Sequence, residues 1–176
     1  MKYLIIMCLI FWSCTDDRSL DPEDFEARPT FEVNVFQTQY AAELINAGND
    51  SIPVSNTLRD YIDVDFLNEQ FNADYLVGLT FKVLAGNSIN RRQNLNFIFY
   101  DDNDVETYRV SEPIAAGTED QPTVKSFSVV LNAQEIAIIT SSVRAEFFVR
   151  QASTATNSGR MQVECIVEAS YLYTGE

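Results

Sequence analysis

The chain has 176 residues, with 26 acidic and 12 basic side chains, a net charge of −14, and no histidine. An acidic surface repels nucleic acid and anionic lipid alike. Without histidine there is no His-based acid–base catalysis, no Ser-His or Cys-His nucleophile pair and no usual zinc site.

The first predicted element is a targeting segment over residues 1–13. Lys2 gives it a positive start, and Tyr3 to Trp12 carries no charge. That run is too short to span a bilayer, which takes about 20 apolar residues, but it suits the apolar region of a signal peptide. Ser13 stands directly before Cys14. A small residue before a cysteine at the end of a short apolar run resembles the bacterial lipoprotein signal, with Phe11 and Trp12 where that family prefers Leu and a small residue. The resemblance implies cleavage before Cys14, a diacylglyceryl group on its thiol and attachment to a membrane through that lipid. Stable anchoring takes two acyl chains, each contributing about 0.8 kcal/mol per buried CH2. An ordinary signal peptide cut elsewhere is the alternative.

Residues 14–30 follow as the lipidated cysteine and an acidic tether. Asp16, Asp17, Asp21, Glu23, Asp24 and Glu26 outnumber Arg18 and Arg28, Pro22 and Pro29 punctuate the run, and only Leu20 and Phe25 are large and apolar. Low hydrophobicity with net charge reads as a disordered linker. The acidic residues just after Cys14, "CTDD", resemble the surface-export signal of Bacteroidota lipoproteins. With Cys8 in the targeting segment and Cys14 lipidated, Cys165 is left alone as a small buried hydrophobe. A Cys14–Cys165 disulfide is the only pairing open if Cys14 carries no lipid.

Residues 31–176 read as one domain, mostly β. In "FEVNVF" the side chains of Phe31, Val33 and Val35 share one face at period two, the mark of a half-buried strand. "YAAELINAG" fits either a continued strand or a short helix ending at Gly48. "SIPVSNTLRDYIDVD" gives one or two strands, with Pro53 at an edge or a start. "YLVGLTFKVLA" (75–85) is a strand with Tyr75, Val77, Leu79, Phe81 and Val83 on one face. "LNFIFY" and "VETYRV" form a hairpin around "DDND". "VKSFSVVL", then "VRAEFFV" with Val143, Ala145, Phe147 and Val149 in phase, then "RMQVECIVEASYLY" with Met161, Val163, Cys165, Val167, Ala169 and Tyr171 in phase, complete the strands.

Two stretches break the β pattern. "VDFLNEQFNADYLVGLTFKV" and "LNAQEIAIITSSVRAEFFV" each run strand, short helical turn, strand, with Asp65 or Asn132 as the N-cap; Asn132 with Glu135 fits a capping box. The common order is either a pseudo-repeat or coincidence.

The fold expected is all-β, a two-sheet antiparallel sandwich of about seven to nine strands with one or two short helical turns, its core filled by Phe81, Phe97, Phe99, Phe127 and Phe147. A closed barrel of the lipocalin kind is the alternative. The layout also resembles small Bacteroidota β-sandwich lipoproteins.

Three features offer chemistry. Asp101, Asp102 and Asp104 crowd oxygen ligands into one turn and are candidates for calcium, although Asp and Asn also suit a plain hairpin turn. Tyr100 and Tyr108, flanking that turn, are candidates for stacking on a sugar, against the reading that they lie in or at the rim of the core. Paired carboxylates among the acidic residues are the basis for a third reading, a small hydrolase. The function expected is non-enzymatic binding of a glycan or other extracellular ligand by a protein lipid-anchored at the outer membrane or cell surface, or facing the periplasm. An accessory subunit of an outer-membrane complex is the alternative. The partners expected are the membrane and an envelope protein or glycan, not nucleic acid.

Overall fold

A computed structural model describes residues 25–46, 57–151 and 158–174. The targeting segment, Cys14 and most of the acidic tether lie outside the described residues. Ten strands are described: β1 (Glu26–Ala27), β2 (Thr30–Ala41), β3 (Thr57–Asp63), β4 (Leu76–Asn87), β5 (Gln93–Tyr100), β6 (Glu106–Ile114), β7 (Thr123–Leu131), β8 (Arg144–Gln151), β9 (Arg160–Tyr171) and β10 (Tyr173–Thr174). Strand structure therefore begins before the end of the segment read as a tether. No described helix is long and apolar enough to cross a membrane.

The chain divides into two units. In the smaller, the described residues are an antiparallel ladder, Glu26 opposite Thr174 and Ala27 opposite Tyr173. The larger, Arg28–Leu172, holds two four-stranded antiparallel sheets, ordered β2-β9-β4-β7 and β3-β8-β5-β6. The expected sandwich forms. The sheets do not join at their edges, so the barrel alternative is not what the chain adopts. Eight strands in this order make a jelly roll. Its logic is a ribbon folded at the β5–β6 turn: β5 pairs with β6, β4 with β7, β3 with β8 and β2 with β9. Rolling the ribbon adds two further ladders, β4 with β9 and β5 with β8.

The core follows from the alternation. Phe99 and Phe147 are buried, and Phe81, Phe97 and Phe127 pack against the buried residues. Phe36, Phe97 and Phe147 meet at ring distances of 5.1–5.7 Å, within the range of favourable edge-to-face contact. Toward one end the ambiguous stretch resolves into both its readings: β2 runs to Ala41 and helix α1 (Ala42–Asn46) follows, burying Ala42 and Ile45 against the core.

At the other end, two helical connections cross between the sheets. A 3-10 turn (Asp65–Asn68) and helix α2 (Gln70–Tyr75) lead from β3 to β4, and helix α3 (Ala133–Thr140) leads from β7 to β8; α2 and α3 touch. The common order seen in the sequence is thus a pair of crossovers at one end. Asn132 caps α3 as expected: its side chain accepts from the N–H groups of Gln134 and Glu135, and Glu135 accepts from the Asn132 N–H. Asp65 is not a cap. It is the first residue of the 3-10 turn, with Val64 ahead of it.

One facing is corrected. Tyr75 lies in α2, and Val77 is 49% exposed while Leu76 is buried. A register shift between Leu76 and Gly78 inverts the alternation there. An extra residue on one strand leaves the parity on its two sides opposed, so only Leu79, Phe81 and Val83 keep the expected face.

Asn132→Ala removes the side-chain half of the capping box and leaves the backbone N–H that Glu135 accepts from. It is expected to cost about 0.5–2 kcal/mol, read as a lower urea midpoint at unchanged slope.

Candidate functional site

Between the sheets, beside β2, lies a cavity of about 340 Å3. Its floor includes Phe97, Phe99 and Cys165, and its walls include Val35, Leu79 and Val167. Sites for small molecules run from about 300 to 1,000 Å3 and are mostly apolar with a few placed polar groups. Bulges help shape it. The register of β2 shifts between Asn34 and Phe36, so both Val35 and Phe36 reach the cavity, and the shift in β4 turns Leu76 into it. On the inward side of β2, Phe31 and Val33 are 53% and 58% exposed, which marks the opening. An aromatic cluster stands at that end: the Tyr171 ring lies 5.9 Å from Phe31 and 5.4 Å from Phe71, which is 5.3 Å from Tyr75.

The polar handle in this lining is Asn72. Its Oδ1 accepts from the Tyr171 hydroxyl at 2.9 Å, and its Nδ2 donates to the Leu67 carbonyl at 3.4 Å. The Cys165 thiol, 2% exposed, is pushed up to about 12 by burial. A thiol held protonated is a poor nucleophile, so Cys165 lines the cavity as a hydrophobe.

The solvent-side face of the second sheet carries a different cluster. Glu146 points away from the core, between Ala145 and Phe147, yet is 3% exposed. Among the described residues it is the one buried carboxylate. Arg59 Nη1 donates to its Oε1 at 2.9 Å and the Tyr100 hydroxyl to its Oε2 at 2.7 Å. Burying a charge is tolerated when it is paired and hydrogen-bonded. Around it, Arg144 lies 4.9 Å from the Tyr100 ring and 5.2 Å from the Tyr61 ring, and Arg59 lies 5.4 Å from the Phe148 ring. Burial first, then the hydrogen bond and charge of Glu146, push the Tyr100 hydroxyl up to about 12.

The residues singled out in the sequence separate. Tyr100 faces outward in this cluster. Tyr108 faces inward, 6.3 Å from the Phe99 ring, with its hydroxyl toward Glu135 at 3.4 Å. The two tyrosines lie on opposite faces of one sheet and make no common platform. Asp101 Oδ1 accepts from the N–H groups of Asn103 and Val105, Asp102 accepts from the Asn103 side chain, and Asp104, at φ 60, pairs with Arg144 at 3.0 Å. Their oxygens serve the turn and an ion pair. Among the described residues no group of three or more His, Cys, Asp or Glu side chains is placed to hold a metal ion.

No family model and no curated protein matches the chain. Solved structures with similar backbones include a Parabacteroides distasonis protein described as secreted (TM-score 0.46, 4% identity, 64% of this chain and 36% of that one). Others are the VP2 subviral particle of infectious bursal disease virus (0.38, 10%, 84% and 38%) and an Arthrobacter globiformis isomalto-dextranase complexed with panose (0.37, 12%, 79% and 23%). The chain spans about a third of the length of the first two and less of the third.

The Tyr100–Glu146 bond has a pH signature. A hydroxyl whose folded-state value lies above its unfolded value stabilises the fold at lower pH, and that contribution fades as pH rises from about 10 toward 12. Tyr100→Phe is expected to flatten the stability profile in this window and to lower stability at pH 7 by about 1–3 kcal/mol, since Glu146 loses a buried donor. Urea titrations across the alkaline range check both.

Proposed function

We propose that the protein is a lipid-anchored envelope protein, held by diacylated Cys14 at the outer membrane and displayed at the cell surface, whose jelly roll holds an apolar small molecule without transforming it. The observation that carries the binding role is the inter-sheet cavity. It is lined by aliphatic and aromatic side chains, has one amide–phenol pair as its polar feature, and opens through an aromatic rim. Such a lining rewards removal of apolar surface from water, at roughly 25 cal/mol per Å2. It offers no acid–base pair to drive a reaction. Support for the anchor is the Ser13–Cys14 junction and the acidic residues that follow it.

A second reading, the accessory subunit, draws on the outward face of the second sheet. Arg59, Tyr61 and Arg144 are of the residue types that dominate binding energy where proteins meet, and Phe148 is of a type enriched there.

Ala169 lines the cavity on β9. In the full chain, Ala169→Leu is expected to weaken binding of a fluorescent fatty-acid probe at least tenfold while holding or raising stability by about 0.5–2 kcal/mol, as cavity filling does. Equal probe binding by the variant and the parent would sink the cavity reading. For the anchor, cells fed radioactive palmitate are expected to label the parent and not Cys14→Ser. Equal label in both would remove it.

A further inference from the structure

The outward face of the first sheet carries two adjoining clefts, of about 470 and 310 Å3, that meet over Gly86, Val124 and Gln162. These three residues form one row across the sheet with Gln39: Gln39 opposite Gln162, Gln162 opposite Gly86, Gly86 opposite Val124. The next row holds Gln37, Glu164, Leu84 and Ser126.

Glycine weakens the interior of a strand, and there it marks a bulge, a bend or a place that something approaches closely. The fold accounts for two glycines. Gly159 sits at φ +92, and a side chain on Gly117 would strike the Asn87 carbonyl. Gly86 has neither constraint. Its φ is ordinary, and a Cβ built there would meet only Gln162, at 3.8 and 4.0 Å, an ordinary contact. Nor is there a bulge at this point, since β4 runs in register with both neighbours from Leu79 to Asn87. Gly86 is therefore a gap that packing and backbone geometry do not ask for, one residue from the C-terminal end of a central strand and paired on both sides, where the two clefts join.

The lining names the chemistry. Gln162 donates to Gln39 at 2.8 Å, which leaves a carbonyl on one amide and N–H groups on the other for a ligand. Side chains that offer donor and acceptor together suit hydroxyl groups, which also do both. Val124, 65% exposed, and Leu84 place apolar surface beside the amides, as the C–H faces of a sugar require. Glu164 and Glu119 line the clefts with Arg160 as the single cation, which disfavours a polyanion. Two clefts in line suit a chain of units more than a single one. We propose that this face is a binding site for a neutral oligosaccharide lying across Gly86, separate from the inter-sheet cavity.

The test is calorimetric titration of the full chain with neutral tetra- to hexasaccharides of glucose, mannose, xylose and galactose, with oligogalacturonate as the acidic control. Binding of a neutral member is expected, with little or none of oligogalacturonate. Gly86→Val is expected to fold, with unchanged or raised thermal stability, and to weaken that binding at least tenfold. Gln39→Ala with Gln162→Ala, which leaves the gap open, is expected to weaken it about threefold to tenfold. Ala169→Leu, in the cavity, is expected to leave it unchanged. Four results would each overturn the proposal: no neutral member bound at millimolar concentration, preference for oligogalacturonate, equal affinity in Gly86→Val, or a Gly86→Val chain that fails to fold, since the glycine would then serve the architecture.

Discussion

Each strand of the larger unit is held by the strand that mirrors it about the Asp101–Val105 turn, and every other property of the molecule depends on that pairing. The turn is closed by Asp101, which receives two backbone N–H groups while Asp104 takes a left-handed conformation. From there the register is carried outward through four nested ladders. Because side chains alternate at period two, one register assigns inner and outer faces to all eight strands at once. The inner faces supply a core of phenylalanines and aliphatics. The outer faces differ from each other: amides, hydroxyls and a Glu32–Lys82–Glu168 ion-pair network on the first sheet, arginines and aromatic rings on the second.

The nested pairing also sets where the sandwich gapes. β2 and β3 are the outermost strands of their sheets on the side where the ribbon's free arm ends, and neither is bonded to the other. On that side a bulge in β2 bends the strand and aims two consecutive side chains inward. The cavity is the result. The opposite half of the core, around Leu95, Ile114 and Val149, is fully buried. An apolar site and a rigid scaffold thus come from the two ends of one hydrophobic layer.

Local alternation made the strands legible, and the fold class with them. Residues 95–110 read plainly as a hairpin because partner, turn and register all lie within one short window, and α3 was legible because its cap is a local motif. What stayed hidden is non-local. No window of sequence shows that β2 pairs with β9, some 140 residues away, so the strand order of the jelly roll could not be read. Bulges at Val35 and Val77 were invisible because each sits in a pair of consecutive apolar residues, Val35–Phe36 and Leu76–Val77, that fits either parity. Glu146 looked like an ordinary solvent-side residue of an alternating strand. Its burial depends on Arg59 and Tyr100, which arrive from two other strands. The candidate residues failed to converge for the same reason in reverse. Tyr100 and Tyr108 are close in sequence, but they fall on opposite sides of the pleat.

The distance between β2 and β9 has a consequence for how the chain is made. A jelly roll zips from its central turn, so β5 and β6 can pair early, while β2 must wait for a partner that lies near the end of the larger unit. Closing such long loops is slow. In a chain delivered from its N-terminus, the first sheet has no β9 to put at its centre until nearly all of the residues have emerged. Val33 and Phe31, on the strand that waits longest, stay uncovered throughout. The larger unit is thus completed only when its last long strand appears, and β2 carries an apolar edge with no strand partner until then.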